Sequence, residues 1–204
     1  MIIDSQAVKN TCNDSLESKG CCFELATNGI KRHLAVDTLG FPSCSVLTLR
    51  FPQSGRCAFF VHCTKASVCD HVGLIEMFSN NIDYFKSQPV NIPKITILLD
   101  NGYHPQKIME ELKKVAPAIL TNIPLKLSPK PLKAQKNQQG KTGFVPVTAR
   151  WVIERTNSWM ERCKSLVKNV VCAAFGRKTT LAHGATKINV CFVRLMLKRL
   201  VAIA

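Results

Sequence analysis

The stretch that most constrains this chain is Ile95-Thr96-Ile97-Leu98-Leu99, an almost unbroken apolar run closed by Asp100-Asn101-Gly102-Tyr103. A strand without polar alternation has no face to offer water, so it belongs inside a sheet covered on both sides. Helices are the usual cover, and the periodicity supplies them. Leu74, Ile75, Phe78, Ile82 and Phe85 predict a helix over Val72 to Phe85, with Asp70 as its cap. Pro105 suits the first turn of a helix to Val115, with Ile108, Leu112 and Val115 on one side. Longer helices are predicted from Thr148 to Asn169 and from Ala185 to Val201.

The other strands are more ordinary. Ile2-Ile3-Asp4-Ser5 opens the chain as a core-like strand, and Arg32 to Asp37, Val46 to Leu49 and Ala58 to His62 extend it as an antiparallel meander. Gly20 and Asn28-Gly29 mark turns, and Pro124 restricts Ile119 to Leu127 to a sheet edge. The expectation is therefore one α/β domain over residues 1–204, a mixed central sheet flanked by helices. Lys, Gln, Pro and Gly make residues 128–147 a flexible basic loop.

Charge narrows the partners. The chain carries a net charge of +15, and from Lys126 onward sixteen Lys and Arg residues face only Glu154 and Glu161. Such a surface suits a polyanion, with the downstream part as the nucleic-acid face. The tail from Ile188 is broken by Arg194, Lys198 and Arg199, and no basic leader precedes Ile2, so a cytoplasmic protein without a membrane partner is expected. The ten cysteines contain no Cys-x-x-Cys pair and are expected to be reduced. Cys57, His62, Cys63, Cys69 and His71 fall within fifteen positions, but the spacing matches no common zinc finger. Trp151 and Trp159, eight apart, are expected to share a core face.

Three acids carry the candidate chemistry. Asp4 and Asp100 each end an apolar strand, and Glu154 lies on a helix one turn after Arg150, in a row with Asn157 and Glu161. Two strand-end aspartates and a helix glutamate offer the hard oxygens that Mg²⁺ prefers, with Mn²⁺ as a substitute. Each also has a plainer reading: the aspartates as turn acids, and Arg150 with Glu154 as a surface i, i+4 pair. Asp37, before Thr38-Leu39-Gly40, is read as a structural turn acid.

Four blocks in order resemble a known family: residues 2–9 (Ile-Ile-Asp-Ser-Gln-Ala-Val-Lys), 29–40 (Gly-Ile-Lys-Arg-His-Leu-Ala-Val-Asp-Thr-Leu-Gly), Asp100-x-Gly102-Tyr103, and 150–155 (Arg-Trp-Val-Ile-Glu-Arg) followed by Trp159 and Arg162. The chain resembles bacterial insertion-sequence transposases with an RNase H-like DDE catalytic domain. The resemblance implies Asp4, Asp100 and Glu154 as catalytic metal ligands, and metal-dependent cleavage at the element's ends followed by strand transfer into target DNA. It also implies a homodimer on double-stranded DNA, bridging the terminal inverted repeats. Arg150, Arg155, Lys130, Lys133, Lys136 and Lys141 are the expected DNA contacts. Against the family pattern, residues 43–58 look inserted and an upstream DNA-recognition region looks absent. The alternative is an inactive remnant that only binds DNA or regulates.

Overall fold

A computed structural model describes residues 1–11, 19–42, 60–81, 96–100, 103–115, 125–127, 150–169 and 180–203. The strand expected at Val46 to Leu49, the insertion expected at 43–58 and the loop expected at 128–147 lie outside them.

The sheet forms around β1 (Ile2–Lys9). After the short β2 (Cys21–Cys22), β3 (Thr27–Val36) runs antiparallel to β1 along its full length, from Ile2 opposite Val36 to Lys9 opposite Gly29. β4 (Val61–Lys65) is antiparallel to β3 on the far side. On its other edge β1 pairs in parallel with β5 (Ile97–Leu99), which pairs in parallel with β6 (Leu125–Leu127). The main path is β2-β3-β1-β5-β6, with β4 joined to β3. Among the described residues β6 ends the path, the edge position expected for this segment; Pro124 lies outside them.

The period-two alternation of the strands sorts side chains into two cores. Ile3, Ala35, Ile97 and Leu99 pack on one face with Phe60 and with α1 (Asp70–Asn80) and α2 (Pro105–Val115), through Leu74, Phe78, Ile108 and Leu112. Their neighbours Ile2, Leu34, Val36 and Leu98 face the opposite way. There they meet α3 (Arg150–Glu161), the short α4 (Lys164–Val167) and α5 (Leu181–Ile203), through Val152, Ile153, Met160, Leu166, Ile188 and Phe192. Full burial of Ile188 and Phe192 stabilises the fold by roughly 1.5–3 kcal/mol each. The protein is a mixed α/β fold with helices on both faces of one sheet. Among the described residues, no helix is long and apolar enough to cross a membrane.

Several boundaries differ from those the sequence suggests. Asn28-Gly29 is not a turn but lies inside β3; the reversal comes earlier, where the Ala26 N–H donates to the Phe23 carbonyl at 3.3 Å and Ala26 takes φ 46°. Gly29 serves close approach instead. A Cβ there would stand 1.8 Å from the Val8 carbonyl oxygen, which is backbone of β1. Gly29→Ala is therefore expected to destabilise the protein by about 3 kcal/mol, seen as a lower urea midpoint, because the β1–β3 ladder must part to admit a methyl group. An unchanged midpoint would show that this end of the ladder moves freely.

Asp70 does not cap α1. Cys69 holds the cap position without a side-chain hydrogen bond, and Asp70, in the first turn, pairs with Lys31 of β3 at 2.8 Å. The predicted helix from Thr148 to Asn169 is broken: α3 ends at Glu161 and Cys163 is extended before α4. The last helix starts four residues before Ala185. Of the strand expected at Ala58 to His62, Ala58 and Phe59 lie outside the described residues, and the described strand is Val61–Lys65.

Candidate active site beside strands β1 and β5

The pairing of Ile2 with Leu98 sets the geometry. Two residues further along stand Asp4 and Asp100, so both carboxylates lie on the face that meets α3; Asp100 directly follows β5, but Asp4 does not end its strand as expected, because pairing with β3 carries β1 on to Lys9. Asp100 follows the last residue of β5, its carbonyl accepts the Tyr103 N–H at 3.1 Å, and the Tyr103 ring is buried in the first core. A buried aromatic residue is thus tied to the backbone of the acid. A pocket of about 20 Å³, room for one water, lies between Asp4, Asp100 and Arg150 over Ile2, Leu98 and Ile153.

α3 presents the row expected from its spacing. The Asn157 amide donates to Asp4 Oδ2 at 3.3 Å, and the Gln6 amide of β1 donates to Glu161 at 3.4 Å. Arg150 Nη1 donates to Asp100 Oδ1 at 2.5 Å, while its Nε stands 3.6 Å from Glu154 Oε1. Asp100 and Glu154 are thus joined through one guanidinium. Asp4 is pulled in two directions. Burial raises its pKa above the usual carboxylate range and the Asp100 charge adds to this, while the Ser5 N–H, Asn157 and Arg150 oppose it.

A turn holds α3 in register. The Asp37 carboxylate accepts the N–H groups of Leu39 and Phe41, each at 2.9 Å, and Gly40 takes φ +80°, so Asp37 is structural as read from the sequence. The turn then docks on the helix: the Thr156 hydroxyl donates to the Gly40 carbonyl and Arg155 Nη2 to the Leu39 carbonyl, both at 2.7 Å. A Cβ at Gly40 would lie 2.8 Å from Thr156 Oγ1.

The structure brings Asp4, Asp100 and Arg150 around one pocket and ties Glu154 to it through Arg150. Arg155 lies elsewhere, over the rings of Trp151 and Trp159 at 4.5 and 4.9 Å. The shared core face expected for the two tryptophans does not form. Trp159 packs partly buried against Phe41, but Trp151 is 49 % exposed under the Arg155 guanidinium, which its face of α3 turns to solvent. Lys130, Lys133, Lys136 and Lys141 lie outside the described residues, as does Cys57. His62 and Cys63 point to opposite faces of β4, His62 to Glu76 at 2.9 Å and Cys63 into the second core. The partners missed from sequence are Thr156 and the Asn157 contact to Asp4. The row of polar positions on α3 was the available signal for the second; nothing local marked the first.

Among the described residues, no group of three or more His, Cys, Asp and Glu side chains stands together as a metal cage. The donors nevertheless suit a hard cation in kind. They are carboxylates alone, and Asp4 is half-buried within electrostatic reach of Asp100, an arrangement that a positive charge between them would relieve. Comparison with protein-family models, with curated proteins and with solved structures found no match.

Proposed function

We propose that the chain is the catalytic part of a DDE-type DNA transposase with an RNase H-like fold, acting on the ends of a mobile element and on target DNA. One observation carries the reading: Asp4 inside β1 and Asp100 just past β5 stand on neighbouring parallel strands and face a helix that offers Arg150, Glu154 and Asn157. The sheet supports the fold, with β1, β3 and β4 antiparallel and β5 and β6 added in parallel. The charge of +15 supports duplex DNA as partner, and two copies bridging two ends is the assembly proposed.

Asp4, Asp100 and Glu154 would hold Mg²⁺ or Mn²⁺. When bound, the cation supplies charge for the entering and leaving oxygens and an activated water. The protein's own groups position the site. Asn157 fixes the rotamer of Asp4, and Arg150 holds Asp100 while reaching Glu154. Ile2, Leu98 and Ile153 keep the pocket floor dry, which strengthens each charge interaction above it.

Arg150 neutralises the carboxylates a cation would use. Arg150→Ala is therefore expected to tighten Mn²⁺ binding about tenfold, about 1.4 kcal/mol, by titration calorimetry. Unchanged or weaker binding would mean that Arg150 does not compete for these oxygens.

The same Arg150 bond favours a second reading, a DNA-binding remnant without catalysis. The test is nicking of a supercoiled plasmid carrying the element's two ends, with Mg²⁺, Mn²⁺ or chelator. Cation-dependent nicks support the transposase. Salt-sensitive DNA binding without nicking supports the remnant.

A further inference from the structure

Two thiols meet where the candidate catalytic helix ends. Beyond Glu161 the chain leaves α3, and Cys163 takes an extended conformation (φ −88°, ψ 104°) before α4. Its Sγ stands 2.8 Å from Sγ of Cys191 on α5, a residue 28 positions away. A disulfide spans ~2.05 Å, so less than ~1 Å of closure separates the pair from a covalent bond.

The surroundings are asymmetric. Cys191 is buried and Cys163 half-buried, so a reagent reaches the pair through Cys163. Burial pushes the Cys191 thiol up to about 12, with the neighbouring Cys163 adding to the shift and Arg194 and Arg32 opposing it. Cys63, fully enclosed on β4, is also pushed up to about 12 by burial. Arg32 reaches over from β3, itself buried, with its Nε unpartnered among the described residues. First attack therefore belongs to Cys163, with Cys191 as the resolving thiol.

We propose that Cys163 and Cys191 form a thiol-oxidation site that a peroxide or a small disulfide converts to an intramolecular disulfide. With a peroxide, the Cys163 sulfur attacks one oxygen, the O–O bond breaks and Cys163 becomes the sulfenic acid with release of water. The Cys191 sulfur then displaces the hydroxyl as a second water, and the thiols have lost two protons and two electrons. With oxidised glutathione, Cys163 forms the mixed disulfide and Cys191 releases the second glutathione thiol. Either route staples the end of α3, the helix of Arg150, Glu154 and Asn157, to α5. The site stands independently of the transposase reading.

The test exposes the folded protein briefly to hydrogen peroxide or to oxidised glutathione, alkylates the remaining thiols and maps peptides without reduction. The expected product is a Cys163–Cys191 cross-link, about two mass units lighter than the reduced pair and reversed by dithiothreitol. It is expected to form at least about tenfold faster in the folded protein than in guanidinium, where only chain connectivity brings the thiols together. With glutathione, Cys191→Ser is expected to leave Cys163 as an unresolved mixed disulfide. The proposal is overturned if closure is no faster in the folded state, if wild-type Cys163 stops at the mixed disulfide, or if either cysteine pairs elsewhere. The wild-type rate comparison decides the matter even where a serine variant folds poorly.

Discussion

Asp100→Asn is expected to reduce Mg²⁺-dependent nicking by about a thousandfold, about 4 kcal/mol of transition-state stabilisation, with little effect on folding. Asparagine keeps the shape and a carbonyl oxygen that accepts the Arg150 N–H, so the contact at the strand end survives. What goes is the negative charge, which a divalent cation needs and a guanidinium bond can do without. Asp4→Asn sharpens the contrast. The Asp4 carboxyl is held above its usual pKa chiefly by burial, so its charge is costly in the native state. Removing that charge is expected to leave the unfolding midpoint unchanged or raise it, while nicking falls as steeply as for Asp100→Asn. A site that costs stability and returns activity is a functional site. Full nicking by either variant would remove the carboxylates from the chemistry and leave the DNA-binding remnant as the better reading.

The parts legible in the sequence are those that depend on period alone. The Ile97-Leu98-Leu99 run has no polar face, and β5 is covered on both sides. Arg150, Glu154, Asn157 and Glu161 are spaced as one helical row, and three of them make side-chain contacts with Asp4, Gln6 and Asp100. Where a residue has two physical uses, sequence cannot choose between them. Asn28-Gly29 has the chemistry of a turn, but Gly29 is needed where β1 passes too near for a Cβ. Asp70 has the chemistry of a cap, but Lys31 across the sheet offers it a full charge. The break after Glu161 carries no Gly or Pro; Cys163 leaves helical geometry where its thiol meets α5, a tertiary contact no local window contains. Thr156 looks like a weak helix residue until the Gly40 carbonyl is brought to it from 116 positions away. The single site proposed from three separated acids is the part that required strand pairing, and Asp4 beside Asp100 is where the pairing delivers it.

His33 makes stability depend on pH. It lies on β3 against α1, wholly buried, where Gly73 leaves room for it: a Cβ at Gly73 would stand 2.1 Å from His33 Nε2. The Thr64 hydroxyl donates to the Lys65 carbonyl at 3.2 Å, so its oxygen accepts from His33 Nε2–H at 3.0 Å and fixes that tautomer. Nδ1 is left buried without a partner among the described residues, and a proton there would be an uncompensated charge. Burial therefore lowers the His33 pKa to about 4, helped by the stacked His62 and by Lys31 and opposed by Asp70. The unfolded chain takes up a proton below about pH 6.5 while the folded protein stays neutral down to about pH 4. Stability from this group is thus complete above pH 6.5 and lost as pH falls. About 2 kcal/mol is gone by pH 5, and about 3 kcal/mol once the pH drops below the folded value. Asp4, with its raised pKa, works in the opposite direction near pH 4, so the His33 contribution is best read between pH 7 and 5. Urea unfolding across that range, compared with His33→Gln, is expected to show the slope in the wild type and most of it removed in the variant. The His33 ring resonances are expected to stay at their neutral positions through pH 5. A titration near 6.5 would mean that water reaches Nδ1 and that β3 and α1 do not close over it.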